Sequence, residues 1–153
     1  MTSADVLNAE QLVGLVPASI DPERRLVNLL SAGSAWFNEP FYGMTLRRLE
    51  GDGRARRLTL SFDELQQALG DERPEPAGLV LHTSRCGSTL LAKMLRHDRT
   101  SLVLSEPSPI GTALGSWLNT PDDPQASALV TDLFALLERF ANGRNQRSVL
   151  KPV

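Results

Sequence analysis

The run "LVLHTSRCGSTLLAKML", residues 79–95, constrains this chain more than any other stretch. A strand-like apolar segment passes through a Thr-Ser-Arg-Cys-Gly loop into residues with helical spacing, Leu90, Leu91, Met94 and Leu95 falling on one face. The alternation then continues. "SLVLSEP" reads as a second strand and "SPIGTALGSWLN" as a helix broken by "TPDDP". "QASALVTDLFALLERFANG" is the strongest helix, stopped by Gly143, and "RSVLKPV" is a third strand. Strands alternating with helices predict a parallel sheet wound with helices, hence an α/β fold. Such sheets bind ligands beyond the carboxyl ends of their strands, and the loop before Ser88 lies at such an end.

The residues ahead of this alternation read differently. "DERPEPAG" is Pro-rich, charged and short, and predicts a boundary between an α+β accessory region, 1–76, and the parallel-sheet domain, 77–153. Within the first region, Val6 to Leu15 have helical spacing up to Pro17. "DPERRLVNLLSAG" reads as a second helix, with Asp21 as N-cap, Pro22 at the first helical position, and Leu26, Leu29 and Leu30 on one face. "MTLRRL" and "RRLTLSF" flank the turn residues Gly51, Asp52 and Gly53, which predicts a β-hairpin. Ser61 and Glu64 form a capping-box pattern that opens a helix ended by Gly70. Arg47, Arg48, Arg54, Arg56 and Arg57 then read as a solvated hairpin face beside Glu50 and Asp52.

Composition excludes several function classes. The chain of 153 residues holds 16 basic and 18 acidic side chains, so no global basic field exists for nucleic acid or an anionic membrane. Its one cysteine, Cys86, and two histidines, His82 and His97, leave no disulfide framework and no Cys- or His-based metal site. The N-terminus has no basic start followed by an apolar block, so no secretory signal is read. No run approaches the roughly 18 apolar residues that span a membrane. A cytoplasmic location is the expectation.

The loop has the chemistry of an oxyanion site. A helix beginning after Gly87 offers free N–H groups and a positive dipole end. Glycine lets the backbone approach a ligand, Ser88 and Thr89 add hydroxyls, and Arg85 adds a planar charged fork suited to phosphate or sulfate. Other phosphate and nucleophile motifs fail. A Walker loop would need glycine at His82 and lysine at Ser88. A nucleophile elbow starting at Gly87 would need serine at Thr89 and glycine at Leu91. A thiol-phosphatase loop would need arginine at Ala92, and Cys86 reads as a small semi-apolar loop residue.

"HTSRCGSTLLAKML" resembles the 5′-phosphosulfate loop of the sulfotransferases that use 3′-phosphoadenosine 5′-phosphosulfate. "LVLSEP" is similar to the second strand of the carbohydrate and bacterial branches, which carry a Glu-Pro pair, and "SVLKPV" is similar to their next core strand. The resemblance covers residues 77–153 and implies a P-loop-like parallel sheet. It also implies that Arg85 contacts the phosphosulfate and neutralises the leaving phosphate. Ser84, Cys86, Gly87, Ser88 and Thr89 would line the same group, and Glu106 would serve as base for an acceptor hydroxyl or amine. The implied co-substrate is 3′-phosphoadenosine 5′-phosphosulfate, with no metal, and the implied acceptor is a small molecule or carbohydrate. Read from the residues alone, Glu106 stands equally as a strand-end charge or as a cap for the helix after Ser108. His82 reads as a packed strand-end imidazole, and Lys151 as a strand-end residue outside the ligand site.

The family's second cofactor element, an arginine after a later strand and a serine on the next helix, has no counterpart before Val153. The expectation is therefore the N-terminal half of such an enzyme. The alternatives are a truncated, non-catalytic anion- or nucleotide-binding module and a relative of the nucleotide kinases. The strand at 147–153 should be interior in a complete sheet and leave an open edge here, so self-association is expected.

Overall fold

The computed structural model describes residues 8, 10–82 and 86–152. The chain is mixed α/β, with two three-stranded sheets and helices against both. In chain order the elements are β1 (Leu15–Asp21), β2 (Leu26–Ser31), α1 (Tyr42–Gly51), β3 (Arg57–Ser61), α2 (Phe62–Leu69), β4 (Gly78–Leu79), α3 (Ser88–Leu95), β5 (Ser101–Ser105), α4 (Ser108–Asn119), α5 (Pro124–Asn142) and β6 (Arg147–Lys151). No helix among the described residues is long and apolar enough to cross a membrane.

The first sheet is antiparallel in the order β1-β2-β3, and it corrects three expectations. The helix read over Val6 to Leu15 lies partly outside the described residues. Residues 10–14 form turns, and Leu15 opens β1. The helix read from Asp21 to Gly33 is instead a tight turn followed by β2, paired with β1 from Leu15↔Ser31 to Asp21↔Leu26. Asp21 Oδ1 accepts from the Arg24 N–H at 3.0 Å, and Arg25 takes a positive φ of 55°. An Asp that accepts a nearby N–H before a Pro is the chemistry of an N-cap and of an Asx turn alike. Pairing decides which of them forms.

Central in its sheet, β2 buries Val27, Leu29 and Leu30 on both faces, a run that periodicity cannot distinguish from a helix. The expected hairpin around Gly51–Gly53 is also absent. Its first arm is α1 and its second is β3, which pairs with β2. Arg48 on α1 pairs with Glu39 and Arg57 on β3 with Glu50, so these arginines do not share a hairpin face.

The capping box forms as expected. The Ser61 hydroxyl accepts from the Glu64 N–H at 3.2 Å, Glu64 Oε2 accepts from the Ser61 N–H at 2.7 Å, and Gly70 ends α2 at φ 68°. Tyr42, fully buried at the start of α1, donates to the Pro17 carbonyl at 2.7 Å. Pro17 itself sits at a register shift in edge strand β1, where a missing N–H disturbs least.

The second sheet is parallel in the order β4-β6-β5. The last strand is therefore interior and leaves no open edge. Among the described residues the unpaired edges belong to β4 and β5.

Helix α5 joins the two sheets, packing on β6 of one, on β1 of the other, and on α2 and α4. Its Leu129, Leu133, Leu136, Leu137 and Phe140 are buried, each contributing about 2 kcal/mol of transfer free energy. Residues from both sides of the 71–77 segment share this one core. Phe37 completes it, stacked on Tyr42 at 5.5 Å and edge-on to Phe140 at 5.7 Å. A buried carboxylate fastens α5 to β6. Glu138, 0% exposed, accepts from Arg147 Nε, from the Ser148 N–H at 2.7 Å and from the Ser148 hydroxyl at 2.5 Å.

Helix α3 forms where expected, yet its apolar face does not pack. Only Ala92 is buried, while Leu90 is 64% and Met94 62% exposed. Helical periodicity identifies a face, but it does not supply the surface that covers it.

Candidate functional site

The carboxyl ends of the three parallel strands carry a chain of polar contacts. Beyond β4, His82 Nε2 lies 3.0 Å from the Pro152 carbonyl oxygen, which follows β6. The last residue of β6, Lys151, is 1% exposed, and its Nζ donates to Glu106 Oε1 at 2.6 Å. Glu106 follows β5, and its backbone N–H donates to the Lys151 carbonyl at 2.6 Å. Strand order accounts for the grouping: β6 lies between β4 and β5, so the residue ending it meets groups from both neighbours.

Glu106 has φ 55°, in the left-handed region that a non-glycine residue occupies at a cost of about 1 kcal/mol. Two contacts to Lys151 hold it there. Its side chain is 27% exposed. Lys151 occupies one carboxylate oxygen, and no described residue donates to the other. The start of α4 after Pro107 has no side-chain cap, and the Glu106 carboxylate bonds to Lys151 instead, so the capping role is not the one adopted.

On the β4 side, Gly87 starts α3 at φ 83° and ψ 9° with no side-chain cap. Thr83, Ser84 and Arg85 lie outside the described residues. The first-turn N–H groups of Ser88 and Thr89 have no intrahelical acceptor, and beyond its chain neighbours no atom of the described residues stands within 4 Å of a Cβ built on Gly87. That open space before an uncapped helix start suits an oxyanion. Cys86 and Thr89 are exposed and Ser88 is half-buried. Among the described residues no group of three or more His, Cys, Asp or Glu side chains stands together as a metal would require.

Lys151 is the member of this cluster that sequence reasoning set aside. A usable signal was present. A lysine closing a buried strand must find a counter-charge, and acidic candidates at neighbouring strand ends are few. Ser105 is also buried here, and its hydroxyl accepts from Arg96 Nη2 at 3.0 Å.

No protein-family model matches the chain, and neither does any curated protein or solved structure.

Proposed function

We propose that the chain carries the phosphosulfate-binding half of a sulfotransferase site, the P-loop-like reading of its parallel sheet. The observation that carries the proposal is the placement of the Lys151–Glu106 pair and the uncapped start of α3 at the same ends of adjacent parallel strands. Bound there, 3′-phosphoadenosine 5′-phosphosulfate would supply an activated sulfuryl group on a phosphate leaving group. The residues fit it by donor chemistry. First-turn N–H groups and the hydroxyls of Ser88 and Thr89 are donors suited to a tetrahedral oxyanion, and Arg85, with Ser84 and Cys86 beside it in sequence, belongs to the same loop.

In the transfer, the acceptor oxygen forms a bond to sulfur as the bond from sulfur to the phosphate oxygen breaks. The electron pair leaves on that phosphate, and the acceptor proton passes to Glu106. Lys151 positions this carboxylate through one oxygen and leaves the other for the acceptor. Helix-start donors and Arg85 stabilise charge developing on the leaving phosphate. Small-molecule or carbohydrate hydroxyls in the cytoplasm are the acceptors this reading favours.

The test is transfer of radiolabelled sulfate from the donor to a panel of hydroxyl and amine acceptors. The proposal expects transfer by the full-length protein and loss of it in Arg85→Ala. Transfer of labelled phosphate from ATP would instead place the chain with nucleotide kinases. Weak binding that does not distinguish adenosine 3′,5′-bisphosphate from ATP, with no transfer, would make it a non-catalytic anion-binding module.

A further inference from the structure

Six arginines of this chain, Arg25, Arg48, Arg57, Arg73, Arg139 and Arg147, each lie within ion-pairing distance of a carboxylate other than a near sequence neighbour. Arg96, Arg99 and Arg144 have no such partner among the described residues, and neither do the exposed Arg47, Arg54 and Arg56, but of these only Arg96 and Arg144 are half-buried. Arg96, Arg99 and Arg144 line one cleft of about 750 Å³. Arg99 and Gln146 set its floor beside the amino ends of β5 and β6, the Gln146 amide donating to the Arg99 carbonyl and the Arg147 N–H to the Thr100 carbonyl, while the Arg96 side chain extends to Ser105 at the far end of β5. The Lys151–Glu106 pair stands at the carboxyl ends of the same strands.

The cleft has the features of a built anion site. Arg96 is half-buried, its Nη2 is spent on Ser105, and its Nε is buried with no hydrogen-bond partner among the described residues. Burial lowers the Arg96 pKa, with the charge of Glu39 acting the other way. Glu39 is itself engaged by Arg48 and Thr45.

Arg144 is fixed in place. Its Nη1 donates to the Gly33 carbonyl at 3.1 Å, and its guanidinium lies 5.4 Å from the Phe140 ring centre. Burial lowers its pKa too. Gln146 ties the wall together, accepting from Arg144 Nε at 3.3 Å and donating to the Arg99 carbonyl at 3.0 Å.

The cleft's one carboxylate, Asp98, is already engaged by the Thr100 N–H and by the hydroxyls of Thr100 and Ser101. Half-buried guanidinium groups without a counter-charge are costly, and a bound anion removes that cost. The remaining wall is Trp36, 68% exposed, a flat surface for a flat ring.

We propose that this cleft binds a nucleotide-type phosphate ester, its phosphates on Arg96, Arg99 and Arg144 and its base against Trp36. The volume suits such a ligand, and planar guanidinium forks suit phosphate oxygens. The cleft shares no lining residue with the Lys151–Glu106 pair, although Arg96 also reaches Ser105 at the carboxyl end of β5, and its binding does not depend on any transfer activity there.

The test uses the whole chain with Trp117→Phe, which leaves Trp36 as the sole tryptophan of the two. Adenosine 5′-diphosphate should quench Trp36 emission saturably, and rising salt should weaken the effect. Inorganic pyrophosphate should compete without quenching, and adenosine alone should bind far more weakly. Arg99→Glu, on an exposed side chain without ion pairs, should weaken diphosphate binding at least about tenfold.

Absence of saturable quenching would overturn the proposal, as would failure of pyrophosphate to compete. Calorimetric binding that Arg99→Glu leaves unchanged would also overturn it, because the nucleotide would then sit elsewhere, such as on the loop before Ser88. The competition experiment needs no charge-reversal variant, so it stands even if Arg99→Glu folds poorly.

Discussion

The ammonium of Lys151 lies 2.6 Å from Oε1 of Glu106, and the Glu106 N–H returns a 2.6 Å bond to the Lys151 carbonyl. One partner is 1% exposed and the other 27%, which makes the pair asymmetric. Glu106→Ala strands a buried ammonium and should cost about 3 kcal/mol. Lys151→Met leaves a carboxylate that water can reach and should cost no more than about 1 kcal/mol. Urea denaturation of both variants tests this, and equal losses would contradict the asymmetry.

Gly87→Ala separates conformational from steric cost. Space is open around a Cβ at this position, but φ is 83°. The variant should lose about 1 kcal/mol of stability from backbone strain alone and keep its circular dichroism spectrum. A loss several times larger would mean that the helix start is packed rather than open.

Glu138, 0% exposed, should be as costly to remove as Glu106. Glu138→Ala takes away the acceptor of the buried Ser148 N–H and hydroxyl, so a loss of about 3 kcal/mol is expected. Arg147→Ala removes a side chain that is 58% exposed and should cost much less. If thermal melts showed the two variants to be alike, the carboxylate would not be what holds α5 to β6.

Acid stability should depend on Glu39. The Arg48 hydrogen bond, helped by Thr45 and opposed by burial, brings its pKa from 4.5 down to about 2. A carboxyl depressed in the folded state adds stability that is complete above the unfolded value and is lost as pH falls through the folded one. The Glu39 contribution should therefore decline between pH 4.5 and about 2. Glu39→Gln should lower stability by about 1 kcal/mol at neutral pH and by nothing at the bottom of that window. A pH-independent loss would assign Glu39 a packing role instead.

The exposed face of α3 should make the isolated chain associate. Self-association was expected from an open edge at β6, but β6 is flanked on both sides, and α3 leaves Leu90 and Met94 exposed on one face. Leu90→Glu with Met94→Lys should reduce association measured by light scattering at high concentration. A parent chain that stays monomeric there would remove the premise.

From residue 77 onward the elements were legible because their signals are local, except that the strand read over "LVLHT" forms only at Gly78–Leu79, with 80–82 outside any strand. Helical spacing marks α3, α4 and α5, proline and glycine punctuate them, and the apolar runs of β5 and β6 are bounded by turn residues. The capping box of Ser61 and Glu64 was legible for the same reason, since both partners lie within one turn. The first region was misread where local chemistry is ambiguous. Asp21-Pro22 suits a helix start and a hairpin turn equally, and "LVNLLS" is apolar enough for either until β1 and β3 pair with it.

By itself the sequence determined an alternating strand–helix chain with a glycine-started helix after its first parallel strand, because propensity, spacing and capping act over a few residues. Tertiary structure alone decided that β6 runs between β4 and β5. That placement joins Lys151 to Glu106 across 45 residues of chain, and the fold also gathers Trp36, Arg96, Arg99 and Arg144 into one cleft. The physical reason is that a buried charge selects its partner by strand order and by the cost of going unpaired, and neither is encoded in the residues beside it.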